Sequence, residues 1–396
     1  MGEWKEYTVE QLIELDMLEA PMDGNHGSIH PKTSDYVETG VPFVMVNDMS
    51  NGRLDLVNCA FISEEQAATL RKGFAKPKDV LLSHKATIGR TAIVPNDFDT
   101  IVLTPQITYY RAKKGIYYKF LKYYFDSPNF QALFNNWAGS GSTRAYLGIT
   151  AQRKLPILLP DMDEQIKIAD ILSSIDEKID NNNKINNNLE QQAQALYQQM
   201  FIDNSSPDWR EGVLSDVADI TMGQSPNGSS YNEDGNGTIF FQGRAEFGFR
   251  FPTVRLFTTE PKRMACTNDT LMSVRAPVGD LNVAYEDCCI GRGLASIRSK
   301  TNHQSFVHYT MLFLRKQLDV FNGEGTVFGS INRNALNEMP IIIPSDDKLD
   351  KFEKVVSNMD AIIRNNYDAI CRLEQLRDSL LPKLMCGELD LTEVDI

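Results

Sequence analysis

Long apolar runs are missing from this chain of 396 residues. No stretch approaches the roughly eighteen apolar residues that a membrane-spanning helix needs. The N-terminus, Met-Gly-Glu-Trp-Lys, lacks the basic and then apolar character of a secretory signal. We therefore expect a cytoplasmic protein.

Metal-binding and disulfide spacings are also missing. The six cysteines include no CxxC pair, and the five histidines include neither an HExxH motif nor a Cys/His cluster. Cys288 and Cys289 are adjacent, which suits reduced thiols better than a disulfide framework. The sequence therefore predicts no metal site and cysteines that simply pack.

Positive charge is scarce, because the net charge is −13, which taken alone argues against a nucleic-acid partner. The acidity is uneven, however. Residues 1–160 hold 17 basic and 17 acidic side chains, and residues 206–344 hold 13 and 15. Residues 161–205 hold 3 against 9, and residues 345–396 hold 7 against 12. Two near-neutral segments alternate with two acidic ones.

This alternation reflects an internal repeat. The matching landmarks are Trp4–Glu6 with Trp209–Glu211, Leu81–Gly89 with Leu271–Gly279, Gly141–Thr143 with Gly325–Val327, and Leu155–Pro160 with Met339–Pro344. The last two pairs share a shift of 184 residues. The same order and spacing over most of each half indicate one duplicated unit.

Each near-neutral segment has the pattern of short strands and one aromatic-rich helix. Its β-branched and aromatic residues are bounded by Gly, Pro, Asn and Asp. The predicted strands are Val41–Val46, Val80–Leu82, Thr91–Val94, Ile107–Tyr110, Ile239–Gln242, Thr270–Val274, Asn282–Tyr285 and Leu294–Ile297, and the predicted helices are Tyr117–Phe125 and Phe306–Leu318. The apolar stripes of these helices are expected to belong to the core. The predicted fold class is α+β.

In the two acidic segments the apolar residues recur three and four positions apart. This spacing predicts long helices with a coiled-coil seam. The seam residues are Ile168, Leu172, Ile175, Ile179, Leu189, Ala193, Leu196 and Met200 in the first, and Phe352, Val355, Met359, Ile362, Leu373, Leu376, Leu380 and Leu384 in the second. A helix over residues 163–201 would be roughly 60 Å long, too long to pack within its own domain.

Asparagine interrupts both seams. Asn182 and Asn186 fall on the first seam, and Asn366, which aligns with Asn182 in the repeat, falls on the second. A seam asparagine can fix the register and partner of a coiled coil. We predict this role for Asn182 and Asn366, and a locally solvated polar run is the alternative.

Short linkers follow both the first helix and Pro344, so the second helix can bury its seam only by running back along the first. The sequence therefore predicts an antiparallel coiled coil with approximate two-fold symmetry. The predicted segments of the chain are a first domain at residues 1–160, a helical region at 161–205, a second domain at 206–344 and a helical region at 345–396.

Two similar domains in inverted orientation suit duplex DNA, whose antiparallel strands present equivalent backbone geometry to each domain. The order of motifs over essentially the whole chain resembles the specificity (S) subunit of type I restriction-modification systems. The motifs are Asp23–Gly27 with Pro31, Val41–Val44, Asp79–Gly89, Gly141–Thr143 and Leu155–Pro160 with Glu164–Ile168, then Gly223–Pro226 with Tyr231, Asp269–Gly279 and Met339–Pro344.

The resemblance implies two target recognition domains that read a bipartite site in double-stranded DNA. It also implies two methyltransferase (M) subunits that dock on the helical regions and methylate adenine N6, and restriction (R) subunits that complete an endonuclease. S-adenosylmethionine, ATP and Mg are expected in those partners, with no cofactor bound by this chain. Glu164 and Gln165 are candidate partner-binding residues, but the second copy has Lys348-Leu349 there, so the contact is expected to be asymmetric.

Catalytic motifs are missing, in keeping with a non-catalytic subunit. The chain has no [DNS]PP[YFW] methyltransferase motif and no GxxxxGK[ST] loop. The stretch 139–143 lacks the lysine of such a loop, and a Gly/Ser turn is favoured there, which could still contact backbone phosphate. Two alternatives stay open: a protein-binding adaptor, which the low basicity favours, and an enzyme in its own right.

The candidate DNA-binding residues are Arg, Lys, Asn, Gln and other polar side chains in loops, because such groups read base edges. They are Asn25, His26, Lys85, Arg90, Gln106, Arg144 and Tyr146 in the first domain, and Gln224, Ser225, Tyr231, Gln242, Arg244, Arg275, Arg292 and Asn332 in the second. For each of them, solvated surface or a phosphate contact is the alternative, and His26 has a further alternative as a loop cap.

Overall fold

The computed structural model describes residues 4–139, 145–322 and 329–389. The chain divides into a first unit, residues 1–181 with 369–396, and a second unit, residues 182–368. Each unit combines a strand-rich domain with part of both long helices. The four segment boundaries drawn from the sequence stay a prediction.

The first unit contains a four-stranded and a five-stranded sheet. In spatial order, the four strands are Thr91–Ile93, Val80–Ser83, Ile107–Tyr110 and Met22–Asp23, and the five are Tyr36–Val37, Ala60–Ile62, Val41–Val44, Ile101–Leu103 and Phe74–Ala75. A small hairpin joins Met49–Ser50 to Arg53–Leu54. Both Val80–Ser83 and Ile107–Tyr110 are buried along their whole length, which explains their nearly unbroken apolar sequence.

The second unit repeats the four-stranded and the five-stranded sheet strand for strand. Its four strands are Leu281–Val283, Thr270–Ser273, Leu294–Ser299 and Ala218–Met222, and its five are Tyr231–Asn232, Leu256–Thr258, Thr238–Phe241, Cys288–Ile290 and Met264–Ala265. In each unit the larger sheet contains one parallel pair, Val41–Val44 with Ile101–Leu103 and Thr238–Phe241 with Cys288–Ile290. The duplicated unit read from the sequence is confirmed, and each predicted strand lies within two residues of an observed one.

The best-matched landmarks of the repeat are partners in space. Lys5–Thr8 pairs antiparallel with Pro156–Leu159, and Arg210–Val213 pairs antiparallel with Pro340–Ile343. These two ribbons bring the start of each domain back to the residues that precede its long helix. The motifs recur because both copies close their domains in the same way.

The helices include the two predicted aromatic-rich ones. The shorter helices are Val9–Glu14, Glu64–Ala68, Tyr118–Asp126, Pro128–Trp137, Ile149–Gln152, Leu214–Val217, Gln304–Leu318 and Arg333–Asn337. The first long helix is Met162–Tyr197, which continues as a π-helical turn over Gln198–Asp203, and the second is Asp346–Met385. None of the described helices is both long and apolar enough to cross a membrane.

Both long helices contribute to the core of each unit. In the first unit, Leu172 of the first helix and Leu384 of the second join the domain core around Phe120 and Phe125. The second unit places Tyr197 and Phe352 against Phe306 in the same way. The helices are therefore held by burial of apolar surface as well as by their mutual seam.

Within each unit the two helices run antiparallel. In the first unit, Leu172 shares a core with Leu384, whereas Ile179 shares a cluster with Ile370. The second unit pairs Asn186 with Asn366, and Tyr197 with Phe352. The partner number falls as the helix number rises, so the predicted antiparallel pairing is confirmed in both.

Part of the predicted second seam is wrong. Val355, Ile362 and Leu376 are 45%, 45% and 46% exposed, whereas the next residues Val356 and Ile363 are fully buried. A pair of adjacent apolar residues such as Val355-Val356 or Ile362-Ile363 allows two seams one residue apart, and packing within the second unit decides which residue is buried. The buried seam also includes Ile370, Leu381 and Leu384.

Candidate nucleic-acid interface

The loop after strand Val80–Ser83 positions Lys85 on the first domain's surface. Lys85 forms an isolated antiparallel bridge with Tyr146, and its Nζ lies 6.0 Å from the centre of the exposed Tyr146 ring. His84, whose Nδ1 lies 3.0 Å from the Leu147 carbonyl oxygen, is buried beneath them. A cation beside an exposed aromatic ring is a combination that contacts phosphate and base surfaces.

Lys85, His26 and Gln106 line a single pocket of about 340 Å³. Three residues that the sequence reasoning missed, His30, Asn47 and Thr104, line it with them. Asn47 and Thr104 follow the parallel strands Val41–Val44 and Ile101–Leu103. Polar residues just past two neighbouring parallel strands are a signal that could have identified them.

Asn25 lies beside this pocket but has a structural role. It is 2% exposed, donates to the Lys72 carbonyl oxygen at 2.5 Å and accepts from the Arg71 N–H at 3.0 Å. These bonds fix two chain segments that lie far apart in sequence. The geometry therefore does not support the predicted base contact of Asn25, because its amide is buried and already used.

His26 is tied to a buried carboxylate. Its Nε2 lies 2.9 Å from Asp23, which also bonds Lys72. Burial alone would raise the pKa of Asp23, but hydrogen bonds from Lys72 and His26, together with their charges, bring it below its usual value. The His26 side chain is 53% exposed and can still reach a ligand.

Arg90 positions a turn rather than pointing freely outward. Its guanidinium donates to the carbonyl oxygens of Val46 and Met49, both at 3.1 Å. These residues flank Asn47, so Arg90 holds the turn that carries it. The remaining candidate of the first domain, Arg144, lies outside the described residues, as do the two Gly/Ser/Thr repeat landmarks at 141–143 and 325–327.

The second domain brings four predicted residues together: Gln224, Ser225, Gln242 and Arg292. The Gln224 N–H donates to the Ile290 carbonyl oxygen at 2.9 Å, and the Ser225 hydroxyl accepts from the Arg292 N–H at 3.2 Å. The Gln242 carbonyl oxygen accepts from the Gly293 N–H at 3.2 Å. The side chains of Gln224, Gln242 and Arg292 are exposed, so an amide and guanidinium surface is available to base edges.

Arg275 and Arg244, two further candidates of the second domain, are both exposed but make different contacts. Arg275 is exposed and bridges Ser330, as Lys85 bridges Tyr146. Arg244 is exposed but paired with Asp280 at 2.7 Å.

Tyr231 and Asn332 are engaged locally. The Tyr231 hydroxyl donates to the Pro226 carbonyl oxygen at 3.1 Å. The side chain of Asn332 accepts from the Ala335 N–H at 3.0 Å and so caps helix Arg333–Asn337. Both residues therefore have a local structural explanation, and their DNA contacts stay predictions.

Glu164 and Gln165 separate in the structure. Gln165 is 1% exposed, donates to the carbonyl oxygens of Gly115 and Pro160 at 3.1 and 3.0 Å, and accepts from the Tyr117 N–H at 2.9 Å. This geometry does not support a partner contact by Gln165, because its amide joins the helix to its own domain. Glu164 is partly exposed and keeps its predicted role as a prediction.

A hydrogen-bonded asparagine pair joins Asn366 of the second long helix to Asn186 of the first. The Asn366 amide donates to the Asn186 side-chain oxygen at 2.8 Å, and Asn186 is 3% exposed. Asn182, which was predicted to fix the register together with Asn366, is partly exposed. Away from the two-fold axis of an antiparallel pair, equivalent positions of a repeat do not face each other, and Asn186 is the residue that meets Asn366.

Comparison with known proteins gives the same organisation. The chain is 28% identical to a protein described as the MjaX type I restriction enzyme specificity subunit of Methanocaldococcus jannaschii, over 88% of this chain and 87% of that one. It is 26% identical to the MjaIX specificity subunit of the same organism, over 92% and 90%. The fold matches a crystal structure of a type I restriction-modification S subunit from M. genitalium with a TM-score of 0.63, at 15% identity, over 99% and 97%.

The family model for the type I restriction modification DNA specificity domain matches the chain twice, at residues 1–191 and 207–374. Each match contains one strand-rich domain and most of the long helix that follows it. With two such domains in one chain, the protein belongs to the family of type I restriction-modification DNA specificity subunits.

Proposed function

We propose that the first and second domains each read one half of a bipartite target in double-stranded DNA. The observation that carries the proposal is a common scaffold with different side chains at equivalent loops. The His84 N–H donates to the Gln106 carbonyl oxygen, and the Val274 N–H donates to that of Gly293, both at 2.9 Å. Equivalent bonds therefore place Gln106 of one domain where the other has glycine, and two domains that differ in this way suit two different half-sites.

The long helices carry the proposed docking surface for partner subunits. Their segments, residues 161–205 and 345–396, have an excess of six and five acidic side chains. Acidic helices are repelled by phosphate but are complementary to a basic protein surface. We assign this surface to two methyltransferase subunits, with restriction subunits joining through them, and the assembled complex acts in the cytoplasm.

In this proposal the partner subunits catalyse the reactions. The methyltransferase subunits supply S-adenosylmethionine for methylation of adenine N6, and the restriction subunits use ATP and Mg to cleave unmodified DNA. The chain itself supplies sequence recognition and the spacing of half-sites. Incubation of the pure chain with labelled S-adenosylmethionine and target DNA is expected to give no methyl transfer, and transfer by the pure chain would overturn its non-catalytic role.

The direct test measures DNA binding by the chain alone and by its complex with the methyltransferase subunits. Methylome sequencing of a host that expresses the complex first supplies both half-sites and the spacer. We expect the complex to prefer the target over random duplex by roughly a thousandfold or more, with a steep salt dependence, and the lone chain to bind weakly. Equally tight, specific binding by the lone chain would contradict the role of the partners.

An adaptor function gives a different pattern in the same experiment. If the two domains bind proteins, the complex will assemble equally well after nuclease treatment and will show no preference among duplex sequences. That outcome would replace the DNA-reading proposal.

A further inference from the structure

Two arginines of the second domain meet at one carboxylate. The Arg244 Nη1 donates to one side-chain oxygen of Asp280 at 2.7 Å, and the Arg315 Nη2 donates to the other at 2.8 Å. Arg244 lies in the turn after strand Thr238–Phe241, whereas Arg315 belongs to helix Gln304–Leu318. Asp280 therefore holds together two guanidinium groups from segments that lie far apart in the sequence.

Asp280 is itself fixed through its backbone. Its N–H donates to the Ser273 hydroxyl at 2.9 Å, and its carbonyl oxygen accepts from the Ser273 N–H at 2.8 Å. These two bonds close the loop that carries Arg275. The side chain of Asp280 is 22% exposed, so it holds both arginines from a partly buried position at the base of that loop.

Stability of the fold does not account for this arrangement. The side chains of Arg244 and Arg315 are 49% and 58% exposed, and ion pairs of such exposed side chains contribute little to stability. Neither guanidinium has a second hydrogen-bond partner within the described residues. A guanidinium has five N–H donors, so both groups keep donors for a ligand. Two guanidinium groups with one carboxylate between them leave a net positive charge that suits a phosphate.

The surrounding surface favours DNA as the source of that phosphate. Arg275 lies on the loop that Asp280 closes. Arg292 precedes Gly293, whose carbonyl oxygen accepts from the Val274 N–H at 2.9 Å. Neighbouring segments of a domain whose net charge is close to zero therefore carry four exposed arginines, which are Arg244, Arg275, Arg292 and Arg315. Such a local concentration of cations attracts the phosphate backbone of DNA.

We propose that Asp280 is a positioning residue for DNA binding, which holds Arg244 and Arg315 as two contacts to the phosphate backbone at the second half-site. The inference rests on the DNA-reading function proposed above. Arg315, which the sequence reasoning missed, contacts the backbone directly, whereas Asp280 acts through the two arginines.

The first domain makes the equivalent link with the opposite charge. The Arg90 N–H donates to the Ser83 hydroxyl at 2.8 Å, as the Asp280 N–H does to that of Ser273. In the first domain the Arg90 guanidinium reaches carbonyl oxygens of the turn after the parallel strand. In the second domain a guanidinium of that turn reaches the carboxylate of the loop. The second domain thereby places two guanidinium groups at the turn, where the first places one, so the proposal concerns the second half-site.

Asp280→Ala gives the sharpest test, because two roles of the carboxylate predict opposite results. If Asp280 merely neutralises the arginines, its removal adds net positive charge and tightens DNA binding. If it positions them, the same substitution weakens binding although the net charge becomes more favourable. In the complex with methyltransferase subunits, we expect D280A to raise the Kd for target DNA roughly 5- to 30-fold, as the loss of one or two phosphate contacts does. Asp280→Asn, which keeps one acceptor oxygen, should recover part of that loss.

The salt dependence of binding tests the phosphate contact of Arg315. Arg315→Met should lower the slope of log Kd against log salt concentration by about 1, for target and random duplexes alike. Arg210→Met is the matched control, because Arg210 is 64% exposed and lies 3.3 Å from the Asp216 carboxylate. Strand Ala218–Met222 separates Asp216 from the candidate residue Gln224. We expect the control to keep the wild-type slope and Kd.

A double variant distinguishes positioning from a general loss of structure. In D280A the guanidinium of Arg315 is released, so adding R315M should raise the Kd less than it does in the wild type. The losses from D280A and R210M should instead be additive, since Arg210 does not contact Asp280.

The outcomes separate this role from the function it rests on. The proposal is wrong if D280A binds target DNA as tightly as the wild type or more tightly, if R315M keeps the wild-type salt slope, or if the D280A and R315M losses are additive. In each case the DNA-reading function stands as long as half-site substitutions weaken binding by the wild-type complex. If the wild-type complex does not distinguish target from random duplex, the proposed function itself fails.

Discussion

Replacing Arg250 by methionine tests how the second domain is joined to the long helices. Arg250 is 6% exposed, and its guanidinium forms ion pairs with Glu190 of the first helix, at 2.9 Å, and with Asp360 of the second. It also lies 2.6 Å from His308 Nε2 and donates to the Tyr309 hydroxyl at 3.2 Å. One buried cation therefore balances two carboxylates from different helices within the second unit.

The expected loss is large because the carboxylates stay behind. Methionine keeps most of the apolar volume but leaves Glu190 and Asp360 without their cation. Removing one partner of a buried ion pair costs about 3–5 kcal/mol, and for a unit the size of residues 182–368 each kcal/mol lowers the melting temperature by roughly 2–4 °C. The predicted decrease for Arg250→Met is therefore about 6–20 °C.

Calorimetry of the full chain measures this loss, and Arg210→Met is its control. Arg210 is 64% exposed and lies 3.3 Å from the carboxylate of Asp216, which is itself partly exposed, so its removal should change the melting temperature little. Neutralising the stranded acids, in a triple variant with Glu190→Gln and Asp360→Asn, should recover much of the stability. Equal melting temperatures for the two single arginine variants would refute the reasoning.

Three further predictions concern buried polar groups. Gln165→Ala should lower the free energy of unfolding by about 2–3 kcal/mol in urea titrations, because it leaves three backbone groups unpaired; an unchanged midpoint would contradict this. Replacing Asn186 and Asn366 together by leucine should raise stability and loosen the register, seen as a wider range of cysteine cross-links between the helices; a loss of stability would count against the pair as a register device. Burial, and then the charge of Arg250, lower the pKa of His308 well below its ordinary value. The unfolded chain therefore binds this proton first, and stability should fall with decreasing pH from about 6.5 to 5.5, by up to about 1.4 kcal/mol per pH unit; His308→Gln should remove that slope, and an unchanged slope would assign it to other groups.

The architecture was readable from the sequence because it depends on patterns that occur twice. Two copies of a strand such as Leu155–Pro160, each followed by a helix of heptad spacing, specify both the duplicated domain and the antiparallel pairing. The residues that form the buried seam of the second long helix could not all be predicted from the sequence. Val355 and Val356 are both valines, and only the packing within the second unit shows that Val356 is the buried one.

The binding surface was readable only in part, for a related reason. Lys85 and Gln106 were recognised because polar residues in loops suit base readout, and the structure places both on one pocket. Asn25 is also a polar loop residue, but it is buried and its side chain is hydrogen-bonded to residues 46 and 47 positions away. Thr104 was missed because its place on the pocket wall depends on the fold and not on its residue type.

The central claim is that each domain reads its own half-site, and a binding cycle with Lys85→Met and Arg275→Met tests it most directly. The two residues occupy equivalent bridged positions, one in each domain. Kd values of the methyltransferase complex would be measured for the intact target and for duplexes with the first half, the second half or both replaced. We predict that each substitution weakens binding to the intact target. The effect of Lys85→Met should largely disappear when one half-site is replaced, and the effect of Arg275→Met should largely disappear when the other half-site is replaced. If both substitutions weaken binding by the same factor whichever half-site is replaced, the account of two separate reading domains would be contradicted.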